Sequence, residues 1–212
     1  NVYDSIVQIR KLLFEGKYKE AQDLSNKTFP RNAPRNANYG MQYQPVGKLF
    51  IKFAGHETVN NYHRELDIQN AIASVSYEVN GVKFKREIFA SLTDGVIIIQ
   101  LTADNLKSIN CEISVNTLHQ ISSIRTKSSQ LILTGTSSNK NNKTGRVQFE
   151  TQIQPKITGG KLITTDTSLI ITGADAATIY VSIGTNYKNY HDITGDPSAK
   201  ATKFLTGALT KN

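Results

Sequence analysis

Asn80-Gly81 constrains the fold of this chain more than any other pair of residues. Both residues tolerate the positive φ that a type I′ turn demands, and alternating apolar and polar residues flank them, so the pair predicts a two-residue β-hairpin. The register follows by counting outward from the turn. Val79 pairs with Val82, Tyr77 with Phe84, Val75 with Arg86, Ala73 with Ile88 and Ala71 with Ala90 on one face. Glu78 with Lys83, Ser76 with Lys85, Ser74 with Glu87 and Ile72 with Phe89 form the other. The Tyr77–Phe84 and Glu78–Lys83 pairs each contribute on the order of 0.2–1 kcal/mol. A slip of one residue would turn every side chain to the wrong face.

The same alternation continues along the chain. Leu49, Ile51 and Phe53 share a face, as do Ile97, Ile99 and Leu101, and then Ile109, Cys111, Ile113 and Val115 with Asn110, Glu112 and Ser114 turned outward. Leu131 and Leu133, then Val147, Phe149, Thr151 and Ile153, then Leu169 and Ile171, then Ile179, Val181 and Ile183 repeat it. Short strands at this spacing, joined by Gly, Asn and Asp turns, predict a mainly β chain built as an antiparallel β-sandwich. Long helical patterns between strands are missing, which argues against a parallel α/β topology.

Helices are expected only at the two ends. Asp4 suits an N-cap for a helix with Ile6, Ile9, Leu12 and Leu13 on one face, and Gly16 stops it. A second short helix carries Tyr18, Ala21 and Leu24, and residues 29–39, with two prolines and three asparagines, read as an exposed connection. Asp196 as N-cap and Pro197 at the first helical position open a helix whose stripe is Ala201, Phe204, Leu205, Ala208 and Leu209. That stripe needs a cover, either the sandwich or another domain, and packing against the sandwich near Tyr187 and Tyr190 is the expected one. The expected boundaries are a β-sandwich domain over 1–195 and a linker helix over 196–212.

The 212 residues suffice for one large β-domain, and 38% hydrophobic with 20% charged residues is a globular composition. No apolar run approaches the roughly 20 residues of a spanning helix, so no membrane is expected, and no signal peptide opens the chain. The net charge of +8 and a pI near 9.5 raise nucleic acid as a partner. The 25 Lys and Arg are dispersed, however, and no finger, KH or RRM pattern occurs, so no nucleic acid is expected.

Candidate chemistry is sparse. Glycoside-type hydrolysis needs two carboxyl groups about 5–10 Å apart across a sugar, and none of the 17 acids lies in a local pattern that forces this. His56, His63, His119 and His191 lack metal-ligand spacing, and Cys111 is the single cysteine, so neither a metal nor a cofactor is expected. Arg86 falls on the apolar face of the hairpin, where an unpaired cation is costly. Glu65 or Asp67 would pair with it, or it is presented to a sugar hydroxyl or a neighbouring domain. Tyr187 and Tyr190, with Asn186, Asn189 and His191, form an aromatic and amide cluster suited either to a pyranose face or to packing against another element. Tyr43 and Gln44, ahead of Pro45 and Gly47, pose the same choice between a rigid loop and a substrate-facing one.

Several motifs together resemble a known family. They are Tyr43-Gln44-Pro45-Val46-Gly47-Lys48-Leu49, Tyr62-His63-Arg64-Glu65-Leu66-Asp67, Phe84-Lys85-Arg86-Glu87-Ile88-Phe89-Ala90-Ser91, Asp94, Gly173-Ala174-Asp175 and Thr185-Asn186-Tyr187-Lys188-Asn189-Tyr190. With Ile9 to Leu13 and Gly16 to Ala21, they look like the N-terminal super-sandwich domain of glycoside hydrolase family 95, the α-L-fucosidases and their relatives. The resemblance implies a non-catalytic domain that supports an (α/α) catalytic barrel of the same polypeptide. It implies a parent hydrolase that removes terminal α-L-fucosides from glycans with inversion, meeting oligosaccharide only indirectly through this domain. It also implies a periplasmic or extracellular, secreted protein of bacterial carbohydrate metabolism. By the same resemblance the catalytic residues lie in the barrel, so none is expected here and the chain alone is expected to be inactive. The rival reading is an independent carbohydrate-binding module, which an aromatic content of 8% without Trp weakens.

Overall fold

The computed structural model describes residues 2–29, 43–140 and 142–211, so most of the expected connection at 29–39 lies outside the described residues. Two compact units divide the chain near residue 41.

The first unit is a helix pair, α1 (Val2–Phe14) and α2 (Tyr18–Thr28). Gly16 breaks the chain at φ +73°, a left-handed conformation that glycine adopts without a Cβ penalty. The Gly16 and Lys17 amides close α1 by donating to the Leu13 and Leu12 carbonyls. Asp4 is not the expected N-cap. The helix already runs from Val2, and Asp4 sits in its first turn, where a negative charge complements the dipole.

The second unit is a sandwich of two antiparallel sheets. Its strands are β1 (Lys48–Lys52), β2 (Asn60–Asp67), β3 (Ile72–Val79), β4 (Val82–Ser91), β5 (Val96–Ala103) and β6 (Ile109–Asn116). They continue with β7 (Ser122–Lys127), β8 (Gln130–Thr136), β9 (Gln148–Thr158), β10 (Lys161–Thr164), β11 (Ser168–Ala174) and β12 (Ala176–Thr185). A four-stranded sheet runs β1-β6-β11-β10 and an eight-stranded one β2-β3-β4-β5-β12-β9-β8-β7. The inward residues of both sheets form one core. Leu101 and Ile179 of the large sheet and Ile109, Ile113, Leu169 and Ile171 of the small one are at most 1% exposed. The mainly β antiparallel sandwich is the predicted fold, and the helices fall in the first and last parts of the sequence.

The hairpin forms in the expected register. Asn80 and Gly81 take φ values of 51° and 79°, and seven pairs from Val79–Val82 to Ala73–Ile88 match. The two outermost expected pairs, Ile72 with Phe89 and Ala71 with Ala90, do not form, and Ala71 already turns to φ 57° in the tight connection from β2.

Helix α3 (Pro197–Leu209) lies on the outer face of the large sheet, over β12 and β9. The Asp196 carboxylate accepts from the Ser198 and Ala199 amides, satisfying two otherwise orphaned donors. Ala201, Leu205 and Ala208 are buried, and Ser182 Oγ donates to the Ala201 carbonyl at 2.8 Å. Burying Leu205 alone contributes on the order of 1.5–3 kcal/mol. The sandwich provides the expected cover, through β12 and β9, while Tyr187 and Tyr190 stay 47% and 82% exposed.

Candidate functional site

Both aromatic and amide clusters singled out in the sequence attach to one loop, residues 137–147 between β8 and β9. On one side Gln44 grips the Ser138 backbone twice. Its Oε1 accepts from the Ser138 amide at 2.8 Å, and its Nε2 donates to the Ser138 carbonyl at 3.0 Å. Buried His119 adds a staple. Its Nδ1 accepts from the Ser138 amide at 3.1 Å, which leaves the proton on Nε2 to donate to the Pro45 carbonyl at 3.1 Å. Thr117 Oγ1 donates to the Val46 carbonyl at 2.7 Å, so residues 44–46 are each held in place. On the other side Asn186 is buried, with Oδ1 accepting from the Gln148 amide at 2.9 Å and Nδ2 donating to the Arg146 carbonyl at 3.2 Å.

These bonds sort the expected site residues into two groups. Gln44 and Asn186 are structural staples whose amides each accept from and donate to backbone. Asn189 is also internal, since its Oδ1 accepts from the His191 and Asp192 amides, an Asx turn that shapes the 186–195 loop. Tyr43, Tyr187 and Tyr190 remain available, Tyr43 being 92% exposed. Tyr190 leans on the His191 ring at 3.7 Å between centroids, and Lys188 lies 3.3 Å from the Asp192 carboxylate. The Thr194 hydroxyl, more than Lys188, holds the Asp192 carboxyl below its ordinary range. A groove of about 220 Å³ opens beside Tyr43, floored by His119 and Ser138 and rimmed by Leu118 and Lys140.

Arg86 corrects the expectation of an ion pair. Its Nη2 donates to the Tyr77 hydroxyl at 2.6 Å, and its guanidinium stacks over the Phe53 and Tyr77 rings at 4.4 and 5.1 Å. Glu65 lies 3.7 Å from His63 instead, and Asp67 accepts from Asn70. Both acids belong to an exposed edge strand or its end, where water already solvates them, while the arginine faces the interior among rings. Phe53, His56 and Phe84 close this box, and His56 Nδ1 meets the Tyr77 hydroxyl at 3.0 Å. Burial, and then the Arg86 charge, lower the His56 pKa below its ordinary value. Burial pushes the neighbouring Cys111 thiol up to about 12.

A second polar cluster escaped the sequence reading. On β9 the alternation predicts Glu150 and Gln152 facing water, yet both are buried beneath α3. Gln152 Nε2 donates to Glu150 Oε1 at 2.7 Å and lies 2.9 Å from Thr202 Oγ1, and Ser198 Oγ donates to Glu150 Oε1 at 2.9 Å. The available signal was on the helix itself, where Ser198 and Thr202 stand four residues apart on one side. Among the described residues no group of three or more His, Cys, Asp or Glu is placed to hold a metal ion.

The profile of a family described as glycosyl hydrolase family 65, N-terminal domain, matches residues 1–190. The chain belongs to this family. This N-terminal domain is also 35% identical over 136 residues, 62% of its length, to Alpha-L-fucosidase 2 of Arabidopsis thaliana, a stretch that is 15% of that protein. A solved structure, a putative kojibiose phosphorylase from human microbiome, aligns with 78% of the chain and 25% of its own at a TM-score of 0.47 and 14% identity. The glycosyl hydrolase domain thus spans a small part of the longer proteins it matches.

Proposed function

We propose that this domain is the non-catalytic N-terminal part of an α-L-fucosidase-like glycoside hydrolase of family 95, working outside the cytoplasm. It supports an (α/α) catalytic barrel in the same polypeptide and presents the 137–147 rim, with Tyr43, Tyr187 and Tyr190, towards that barrel or its glycan. One observation carries the reading: the 35% identity with a protein named as an α-L-fucosidase. The carboxylates near the rim support a structural role, because Glu150 is tied to Gln152 and Ser198, and Asp196 caps α3. The exposure of Tyr43, Tyr187 and Tyr190 favours a second reading, an independent carbohydrate-binding module.

Fucose release from fucosyllactose tests the first reading. The 212-residue chain is expected to release none, and a longer polypeptide that carries it is expected to be active. Turnover by the chain alone that disappears on a point substitution within it would overturn the proposal.

A further inference from the structure

The outer face of the large sheet carries a carboxylate with one oxygen left over. Glu150 is 6% exposed, and its Oε1 is filled by Gln152 and Ser198. Among the described residues Oε2 has only Arg125 Nη2, at 3.8 Å, which is beyond hydrogen-bond length. A buried carboxylate is stable when its remaining lone pairs are filled as well as its charge balanced. The Glu150 side chain lines a groove of about 420 Å³, within the range of small-ligand clefts.

The rest of the groove defines what fills it. The Ser122 and Ser198 hydroxyls, whose protons go to the His119 carbonyl and to Glu150 Oε1, can still accept, Ser123 and Thr134 share one hydrogen bond between them, Thr136 can donate or accept, and Ile121, 71% exposed, gives an apolar wall. An anion would face both Glu150 and the Asp196 carboxylate. A cation is not needed, since Arg125 already balances Glu150 and would repel it. A neutral ligand with adjacent hydroxyls and C–H faces meets every group present. We propose that this groove binds a neutral sugar, with one hydroxyl donating to Glu150 Oε2 and a C–H face on Ile121.

None of the three rim tyrosines lines this groove, and binding there requires no catalysis, so its failure and that of the fucosidase reading are told apart by binding and turnover. Amide spectra of the ¹⁵N-labelled 212-residue chain are recorded with methyl α-L-fucoside and methyl α-D-glucoside up to about 50 mM, which covers millimolar affinities. Glucuronate and glucosamine serve as the charged comparisons. The neutral sugars are expected to shift the signals of Ser122, Thr134, Gln148 and Ser198, with little response to the charged ones. Glu150→Gln is expected to weaken binding at least about tenfold, the scale of a hydrogen bond to a charged group. Ile121→Lys, at an exposed position that leaves the core intact, obstructs the mouth and is expected to abolish the shifts. Silent groove signals, a stronger response to glucosamine, shifts confined to Tyr187 and Tyr190, or undiminished binding by Ile121→Lys would each overturn the inference.

Discussion

Arg86 shows how a cation is held inside a β-sandwich without a carboxylate. Its charge rests on the Tyr77 hydroxyl and two ring faces, while its Nε is buried with no hydrogen-bond partner among the described residues. Tyr77→Phe removes the acceptor from a charged donor and is expected to destabilise by about 2 kcal/mol. In an Arg86→Leu background the same change is expected to cost less than about 1 kcal/mol, and urea unfolding of the four proteins measures the coupling. Equal costs in both backgrounds would mean that the bond contributes nothing. His56 adds a pH dependence. Its folded pKa lies below the ordinary 6.5, so above that value both states are neutral and stability is complete. As pH falls below 6.5 the unfolded chain takes up a proton that the folded chain resists, and stability declines until the lowered folded pKa is passed. His56→Gln is expected to flatten this decline between about pH 7 and 5. A wild-type slope preserved in the variant would assign the loss to other groups.

Among the elements, α3 depends on a close approach that only glycine permits. A methyl group at Gly184 of β12 would overlap the Pro197 carbonyl oxygen and lie 2.7 Å from the Ala201 amide nitrogen. Gly184→Ala is therefore expected to lift the first turns of the helix, with amide protection lost over 199–205 and kept in β9 and β12. Protection retained throughout α3 would show that the sheet gives way instead. This dependence also explains what the sequence could and could not reveal. The hairpin register was legible because a two-residue turn leaves no freedom, and the strands because their apolar residues alternate. Helix α3 was legible from Asp196, Pro197 and its stripe. Its seat on the sheet was not, because Glu150 and Gln152 resemble solvent-facing residues until Ser198 and Thr202 are brought over them. The site residues suffered from the same distance problem. Gln44 meets Ser138 across 94 positions, and Arg86 meets Phe53 from a neighbouring segment that no register argument places. Amide and aromatic side chains advertise recognition and long-range stapling equally well, and only the fold separates Gln44 and Asn186 from Tyr43, Tyr187 and Tyr190.

For the sandwich as a whole, Cys111 reports on contact between the sheets. It is 5% exposed on the inner face of β6, with its thiol pushed up to about 12, so both access and thiolate are withheld while the sheets stay together. A thiol reagent at a pH of about 8 is expected to label it only through global opening. The logarithm of the labelling rate should rise with urea at the slope of the unfolding transition. Fast labelling with a shallow urea dependence would reveal a local separation of the sheets. The strand order carries a further consequence. Strands β2 to β5 and β7 to β9 pair with their sequence neighbours, but the two groups meet only through β12, which the chain reaches last of all the strands. In vectorial synthesis the large sheet must wait as two halves, with the edges of β5 and β9 open and Ile99, Leu101, Phe149 and Ile153 without their eventual neighbour. β12 acts as a closing strand, and the nascent chain is most prone to stray pairing just before residues 176–185 emerge.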